Sequence, residues 1–484
     1  MWTRATYFSY TDMNQLPTRI NFFEPLASWG GSNMNEYSLS SNWDKGLFFT
    51  GQVGYKDYVY LGGSYRQDWY RAFKQFEYRG TPDNYGYFSV GANTLMHRYI
   101  SLPEFITHLK LRASYSEVGN SIPNEVFNKG KADLATGAIA SSTYGYFDNP
   151  IPETSKSFEA GFDVSFFDSS LNWDLTYYHT GLYNNYFLQA TTGGKSKPVN
   201  TGLIRNQGIE TTVSYSLGFA KDWMWRTSVN FSYNDNKIVK TFKDEQGKSS
   251  KLEQKIAGGN IVVRYAEGGS YGDMYALDFR RNDDGSIYLS SNGAPQLSNN
   301  SYVYLGNMNS KFQLGWGNTI SWKDLSLYFL VSGRIGGKVI SLTEAYLDYQ
   351  GVSKRVGDAR LAAEANPDLQ WNGKPAMVMP DGNLAPIEEY YKAVGGNMFG
   401  SQYVYDATNF RLAELSLGYS FHNLFGGVIS NLSLSVVGRN LFFIYKDAPV
   451  DPDIALSTKN GLGAFDIFNM PATRSVGVNL KIDF

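Results

Sequence analysis

The sequence predicts an all-β fold of the transmembrane antiparallel β-barrel type, with about thirteen strands in this chain. Three observations carry that expectation. The closing stretch alternates without a slip: Val476, Val478, Leu480, Ile482 and Phe484 share one face, while Ser475, Gly477, Asn479, Lys481 and Asp483 share the other. A period of two belongs to a strand with one apolar and one polar side. The same alternation recurs along the chain, and the segments joining the strands are short and long by turns, so one rim has tight turns and the other elaborated loops. Outer-membrane barrels have that asymmetry, whereas a sandwich or propeller has no reason to keep it over so many strands.

In chain order, residues 1–45 are Asn- and Ser-rich and poorly periodic, which reads mainly as extracellular loop. Residues 46–484 read as barrel. Phe49, Gly51, Val53 and Tyr55 share a face, and a turn at Lys56-Asp57 leads into Val59, Leu61, Gly63 and Tyr65. A strand over 84–95 follows, then Leu109, Leu111, Ala113 and Tyr115 opposite Lys110, Arg112 and Ser114. Phe158 to Phe166, Leu171 to Tyr177, Ile209 to Tyr215 and Trp223 to Tyr233 continue the pattern. Leu314 to Ile320 turn at 321–324 into Leu325 to Val331. Ala413 to Phe421 and Leu432 to Val436 lead to the closing strand. Long loops are expected near 118–156, 182–205, 235–311, 336–407 and 445–470. The only helix-like stretch is near Asp358–Glu364.

Composition narrows the class. No apolar run is long enough for a transmembrane helix, which leaves a barrel open because its strands are only half apolar. The absence of Cys removes disulfides, thiolate metal sites and Cys nucleophiles together. A net charge of -2 offers no electrostatic footprint for nucleic acid. The aromatic load of 36 Tyr, 31 Phe and 10 Trp suits rings at membrane interfaces. Residues 1–7 lack the pattern of a signal peptide, so either the chain starts inside a longer protein or it is not exported; the strand pattern favours the first. Strand parity agrees, because an even barrel requires an odd number of strands before residue 46. Polar faces carrying Lys110, Arg112, Glu159, Asp163, Glu210, Arg226, Glu414 and Arg439 fit a wet or plugged lumen rather than a dry core.

Several segments resemble the C-terminal half of the SusC/RagA-type TonB-dependent transporters of Bacteroidota. They are Leu109-Lys110-Leu111-Arg112-Ala113-Ser114-Tyr115 with Gly119-Asn120, Gly306-Asn307 with Lys311, and Asp406-Ala407-Thr408-Asn409-Phe410-Arg411-Leu412 with Leu417-Gly418-Tyr419. Arg439-Asn440-Leu441-Phe442 followed by Asp451-Pro452-Asp453 is similar to another family signature, and Pro471 and Arg474 match its end. The sequence departs from the family pattern at Ser116-Glu117-Val118, Ser310 and Gln67-Asp68-Trp69-Tyr70. The resemblance implies a plugged barrel of roughly 22 strands. This chain would then be its C-terminal part, with the plug, the TonB box and the early strands outside it. It also implies a Gram-negative outer-membrane location, a SusD-like surface lipoprotein as lid, TonB as the source of force through the missing N-terminal part, and an oligomeric glycan or peptide as cargo. A passive pore or a structural barrel subunit of an envelope complex is the alternative, and a soluble all-β glycan-binding or glycan-cleaving protein is a third reading.

No catalytic constellation is present, so the chain does not read as an enzyme. His97, His108, His179 and His422 lack metal spacing, and Glu388-Glu389 reads as solvated loop. Gly268-Gly269 and Gly336-Gly337 lack the phosphate-loop pattern and read as turn glycines. No cofactor is implied. Asp451 and Asp453 offer ligands for a loop cation, although a turn around Pro452 is the plainer reading. Candidates for substrate or lid contact are the loop aromatics Tyr346, Tyr349, Trp371, Tyr390, Tyr391, Phe399, Tyr403, Tyr405 and Tyr445, whose flat rings can stack on sugars or peptide side chains. For any single ring, packing the loops together is the plainer role. Tyr215, Trp223, Trp225, Tyr419, Phe421 and Phe484 are expected in the membrane girdle.

Overall fold

A computed structural model describes residues 2–11, 36–74, 82–121, 150–190, 196–243, 247–453, 462–470 and 472–484. Only the backbone is described at 2–11, 36–43, 72, 74, 188–190, 196–198 and 300. Residues 12–35, parts of the expected loops (122–149, 191–195, 244–246 and 454–461) and the family-matched Pro471 lie outside the described residues.

Fourteen antiparallel strands form one sheet, each hydrogen-bonded to the next in chain order. They are Trp2–Thr11, Glu36–Tyr55, Val59–Tyr70, Asn84–Leu95, Ile106–Asn120, Glu153–Phe166 and Leu171–Tyr183, followed by Leu203–Ala220, Trp223–Lys240, Phe312–Trp322, Leu325–Ile335, Asn409–Leu424, Ile429–Lys446 and Ser475–Asp483. Two of these correct the reading of 1–45 as loop: Trp2–Thr11 pairs with Glu36–Lys45, and Glu36–Tyr55 is twice the length expected. In sequence, Trp2–Thr11 mixes rings and polar residues at both sets of alternate positions, while Tyr37, Leu39 and Trp43 do alternate with Glu36, Ser38, Ser40, Asn42 and Asp44, a short signal within an otherwise Ser- and Asn-rich stretch. A spanning strand needs only about 9–11 residues, so a strand of 20 residues reaches well beyond any apolar band, and the excess need not alternate.

The short connections are built by residues in the left-handed region: Lys56 and Asp57, Phe167 to Ser169, Asp222, Lys323, and Phe425 to Gly427. Lys56 and Asp57 both have positive φ, the backbone of a type I′ hairpin turn. Register follows the alternation. Leu417 pairs with Val436 and Tyr419 with Leu434, while Ser416 pairs with Val437 and Gly418 with Ser435.

The burial pattern is inverted relative to a water-soluble protein. Along the strand from Leu415 to Phe421 the exposed positions are Leu415, Leu417, Tyr419 and Phe421, and the polar Ser416 and Ser420 between them are less exposed. In the last strand every residue from Ser475 to Ile482 is exposed, polar and apolar alike, because it ends the strand order and among the described residues has a neighbour on one side only. The opposite face carries ion pairs. Arg112 lies 2.8 Å from Asp163 and 2.7 Å from Asp174, and Arg439 lies 3.2 Å from Glu414.

The chain falls into two compact units: Met1–Ala92 with Ser114–Phe158 and Gly181–Leu203, and Asn93–Ala113 with Glu159–Thr180 and Ile204–Phe484. The first contains a polar cluster in which Lys156 lies 2.9 Å from Glu117 and the Tyr115 hydroxyl donates to Glu117 at 2.6 Å. It also holds the hairpin Tyr186–Ala190/Ser196–Asn200 within the expected loop 182–205.

The second unit contains the hydrophobic core, which lies in the long loops. Residues 252–307 fold into a four-stranded antiparallel sheet. Residues 338–406 contribute three helices, Leu342–Tyr349, Lys354–Ala365 and Ile387–Gly396, and the strand Lys338–Ser341, which pairs with Val404–Asp406 and Phe465–Asp466. Lys354–Ala365 contains the helix-like stretch read from sequence; the other two helices are additional. Ser341 and Ser353 cap two of them, accepting from the amides of Glu344 (3.2 Å) and Val356 (3.1 Å). Gly395 allows close helix packing, since a methyl there would collide with the Ala345 carbonyl and the Tyr349 amide. Segments from all three excursions share one core that includes Ile261, Met274, Phe279, Ile340, Val356, Val394, Phe399 and Phe465. What sequence reads as three separate loops is therefore one folded body.

Candidate functional site

The polar face of the second unit holds a cavity of about 490 Å³, lined in part by Asp174, Glu210, Asn230, Gln313, Arg334 and Arg411. Its strands place hydrophilic side chains there at every second position, the polar half of the alternation seen in sequence. At its upper edge Asp453 descends from the loop after Lys446. Its carboxylate lies 3.0 Å from Arg334 and is ion-paired to Arg411. Asn409 donates to it at 3.5 Å and also to the Ala407 carbonyl at 3.0 Å. The Asp453 amide donates to Asp451 at 3.0 Å, closing the turn around Pro452. Both Asp453 oxygens thus face guanidinium groups, the arrangement of a structural anchor. Burial pushes Asp451 up, against the pull of Arg411, Lys446 and Arg334.

The structure separates the nine loop aromatics. Tyr390, Tyr391, Phe399 and Tyr403 are buried in the shared loop core. Phe399 packs against Phe279 with ring centroids 5.1 Å apart, and Tyr390 meets Tyr391 edge-on at 5.2 Å. The Tyr403 hydroxyl donates at 2.9 Å to Asp348, a buried carboxylate also paired with Arg355. Tyr405 is half-buried and donates to Glu344. Burial, first, and the adjoining carboxylates push Tyr403 and Tyr405 far up, so both stay neutral donors. Closed to solvent, the four core rings hold the loop body together rather than offering a contact surface. Trp371 is half-buried. Tyr346, Tyr349 and Tyr445 are exposed, and Tyr346 packs edge-on against Phe468 at 5.3 Å. Sequence reasoning missed Asp348, Arg355 and Arg334. Asp348 and Arg355 lie on different helices, Leu342–Tyr349 and Lys354–Ala365, so none of the three has a local signal in the sequence.

The girdle candidates sit at the short-turn ends of their strands. Trp223 stacks on Trp322 at 5.8 Å, Tyr215 meets Trp225 edge-on at 6.2 Å, and Tyr419 tilts against Phe421 at 4.7 Å. Trp223, Tyr419, Phe421 and Phe484 are exposed. On the same apolar face Asn318 is 2% exposed, and its Oδ1 accepts from Trp225 Nε1 at 3.1 Å. Trp225 thus satisfies the acceptor half of the amide, while Asn318 Nδ2 has no partner among the described residues.

Comparison with known proteins agrees with this geometry. Residues 2–441 match the family model described as TonB dependent receptor-like, beta-barrel. TonB-dependent receptor P39 of Formosa agariphila is 23% identical, covering 99% of this chain and 50% of that protein. TonB-dependent receptor P3 of the same organism is 24% identical over 82% of this chain and 42% of its own length. TonB-dependent receptor SusC of Bacteroides thetaiotaomicron is 22% identical over 74% of this chain and 36% of that protein. Among solved structures, the RagAB peptide importer in its open-open state superposes with a TM-score of 0.71 at 19% identity, covering 94% of this chain and 48% of that one. The chain thus spans at most about half the length of these relatives. These relatives are receptors and transporters rather than enzymes. With its sheet of fourteen strands, one more than the thirteen read, and its exposed apolar faces, the chain belongs to the TonB-dependent receptor β-barrel family and is an outer-membrane β-barrel protein.

Proposed function

We propose that this chain forms part of the wall and most of the folded loop body of a transporter that imports an oligomeric nutrient, glycan or peptide, across the outer membrane. TonB supplies the force through the part of the protein that this chain does not contain. A SusD-like lipoprotein covers the loops, with Tyr346, Tyr349 and Tyr445 as exposed candidates for lid or cargo contact. One observation carries the reading: apolar side chains face outward while the opposite face holds ion pairs and a cavity, which suits a wall between lipid and a hydrophilic passage.

The test is uptake of labelled oligomers by cells expressing the full-length protein, with and without TonB. Uptake that stops when TonB is deleted supports the proposal. Uptake that continues down a concentration gradient without TonB makes the protein a passive pore. Recovery of a SusD-like lipoprotein with the detergent-purified protein tests the lid.

A further inference from the structure

A second cavity, of about 660 Å³, lies where the strands Leu203–Ala220, Trp223–Lys240 and Phe312–Trp322 meet the loop body. Five asparagines line it: Asn206, Asn234, Asn236, Asn307 and Asn309. We propose that this cleft binds a neutral saccharide chain, with Tyr304 as its stacking wall and the asparagine amides as its hydroxyl-reading groups. The inference rests on the import reading for its purpose and names the cargo class within it.

The amides are held in fixed orientations. Asn236 Oδ1 accepts from the Tyr271 amide (2.7 Å) and the Ser270 hydroxyl (3.1 Å), and its Nδ2 donates to Asn206 Oδ1 at 2.8 Å. Asn234 Oδ1 accepts from the Tyr178 hydroxyl at 2.9 Å. The Nδ2 groups of Asn206 and Asn234 therefore remain as oriented donors, with no hydrogen bond among the described residues. Asn309 donates its Nδ2 to the Tyr271 carbonyl at 2.8 Å, which leaves its Oδ1 as an acceptor. Fixed donors and acceptors at one site match the donor-acceptor pairs of a sugar's hydroxyl groups, and their prior ordering reduces the entropic cost of binding.

Tyr304 supplies the flat surface. Its side chain is 57% exposed, yet the ring is pinned. Its hydroxyl donates to Asp273 at 3.2 Å, and its ring packs on Tyr275 with centroids 5.2 Å apart. Burial and the Asp273 carboxylate push the phenol up to about 12, so it stays neutral and keeps donating. An exposed but immobilised ring suits the apolar face of a pyranose.

Charge and shape favour a neutral saccharide over a polyanion or a peptide. Asp235 lies 3.2 Å from Lys311 and 3.8 Å from Arg205, and with Lys237 and Asp273 the lining sets three cations against two carboxylates, a single surplus positive charge and too little to hold a polyanion. No aliphatic side chain lines the cleft, so the apolar side chains of a peptide would find no pocket in it.

The test is calorimetric titration of the full-length protein in detergent with neutral gluco-, manno-, xylo- and fructo-oligosaccharides, and with a mixed-peptide pool as competitor. One saccharide series is expected to bind. Tyr304→Ala is expected to weaken it about tenfold, and Asn234→Leu comparably, while Tyr304→Phe, which keeps the ring, is expected to retain it. The proposal is overturned if no series binds, if Tyr304→Ala and Asn234→Leu leave affinity unchanged, or if peptides displace the sugar. Saccharide binding without TonB-dependent uptake would sink the import reading alone; TonB-dependent peptide uptake without saccharide binding would sink this inference alone.

Discussion

Asp453 Oδ1 lies 3.0 Å from Arg334 Nη1, and the other oxygen of the same carboxylate is ion-paired to Arg411. One loop residue thus ties two adjacent wall strands to the segment that follows Lys446. Asp453 and Arg411 are well buried, whereas Arg334 is half exposed, which ranks the two contacts. Asp453→Asn is expected to cost about 3 kcal/mol, because two guanidinium groups lose their partner. Arg411→Ala should approach that cost, and Arg334→Ala should fall below about 1 kcal/mol because solvent screens the pair. Thermal melting of the full-length protein in detergent checks the ranking; equal losses for the two arginines would contradict it.

Asp348 is a buried anion held by Arg355 and by the Tyr403 hydroxyl. Arg355→Met is expected to destabilise the loop body by about 3–5 kcal/mol, since it leaves a buried charge uncompensated. Tyr403→Phe removes one donor and should cost about 1–2 kcal/mol. Limited trypsin digestion reads this directly: Lys354 and Lys374 become cleavable in Arg355→Met, while the β-sheet signal in circular dichroism persists. Loss of both together would show that the loop body and the wall do not unfold separately.

Acid should loosen the loop body. Burial opposes ionisation of Asp381, but the Ile287 amide at 2.7 Å and the Asn383 side chain at 3.0 Å outweigh it and hold the carboxyl below its ordinary range. At Asp406 burial is likewise outweighed, by Thr408, whose amide donates at 2.8 Å, and by Lys338 at 3.1 Å. Groups with depressed folded values contribute fully above the ordinary aspartate value and lose that contribution as pH falls through the folded one. Protease resistance of the loops is therefore expected to be flat from about pH 7 to 5 and to decline below about pH 4. Asp381→Asn and Asp406→Asn should flatten the decline; an unchanged profile in both would contradict this assignment.

The lipid face offers a contrast in sign. Trp225→Phe removes the donor to Asn318 Oδ1 and should cost about 1–2 kcal/mol, because the amide is left without that partner away from water. Asn318→Leu removes the polar group itself and is expected to be neutral or stabilising. Melting temperatures in detergent or lipid vesicles decide it, and a destabilised Asn318→Leu would place Asn318 away from lipid.

How much was legible follows from where water lies. From residue 46 onward the wall strands were readable because one side of each must be apolar and the other polar, as at Leu415 to Phe421 and Val476 to Ile482. Trp2–Thr11 mixes rings and polar residues at both sets of alternate positions and left little trace, whereas the alternation of Tyr37, Leu39 and Trp43 with polar residues was there to read but is short. The turn at Pro452 was readable; the arginines that take Asp453 were not, since Arg334 and Arg411 come from strands 77 positions apart and meet only through the pairing of their strands. For the loop aromatics the sequence left contact and packing both open, and which rings pack could not be read for a related reason. Tyr390, Phe399 and Tyr403 stand in polar sequence, but segments far apart in the chain close over them, and burial of that kind has no local period.

The central claim is that alternate side chains of this sheet face lipid. The chain has no cysteine, so single substitutions Leu417→Cys, Val436→Cys, Ser416→Cys and Ser435→Cys can each carry a nitroxide label in the full-length protein within outer-membrane vesicles. The labels replacing Leu417 and Val436 should collide preferentially with dissolved oxygen, and those replacing Ser416 and Ser435 with a water-soluble nickel complex. Equal access of the nickel complex to all four positions would contradict the account.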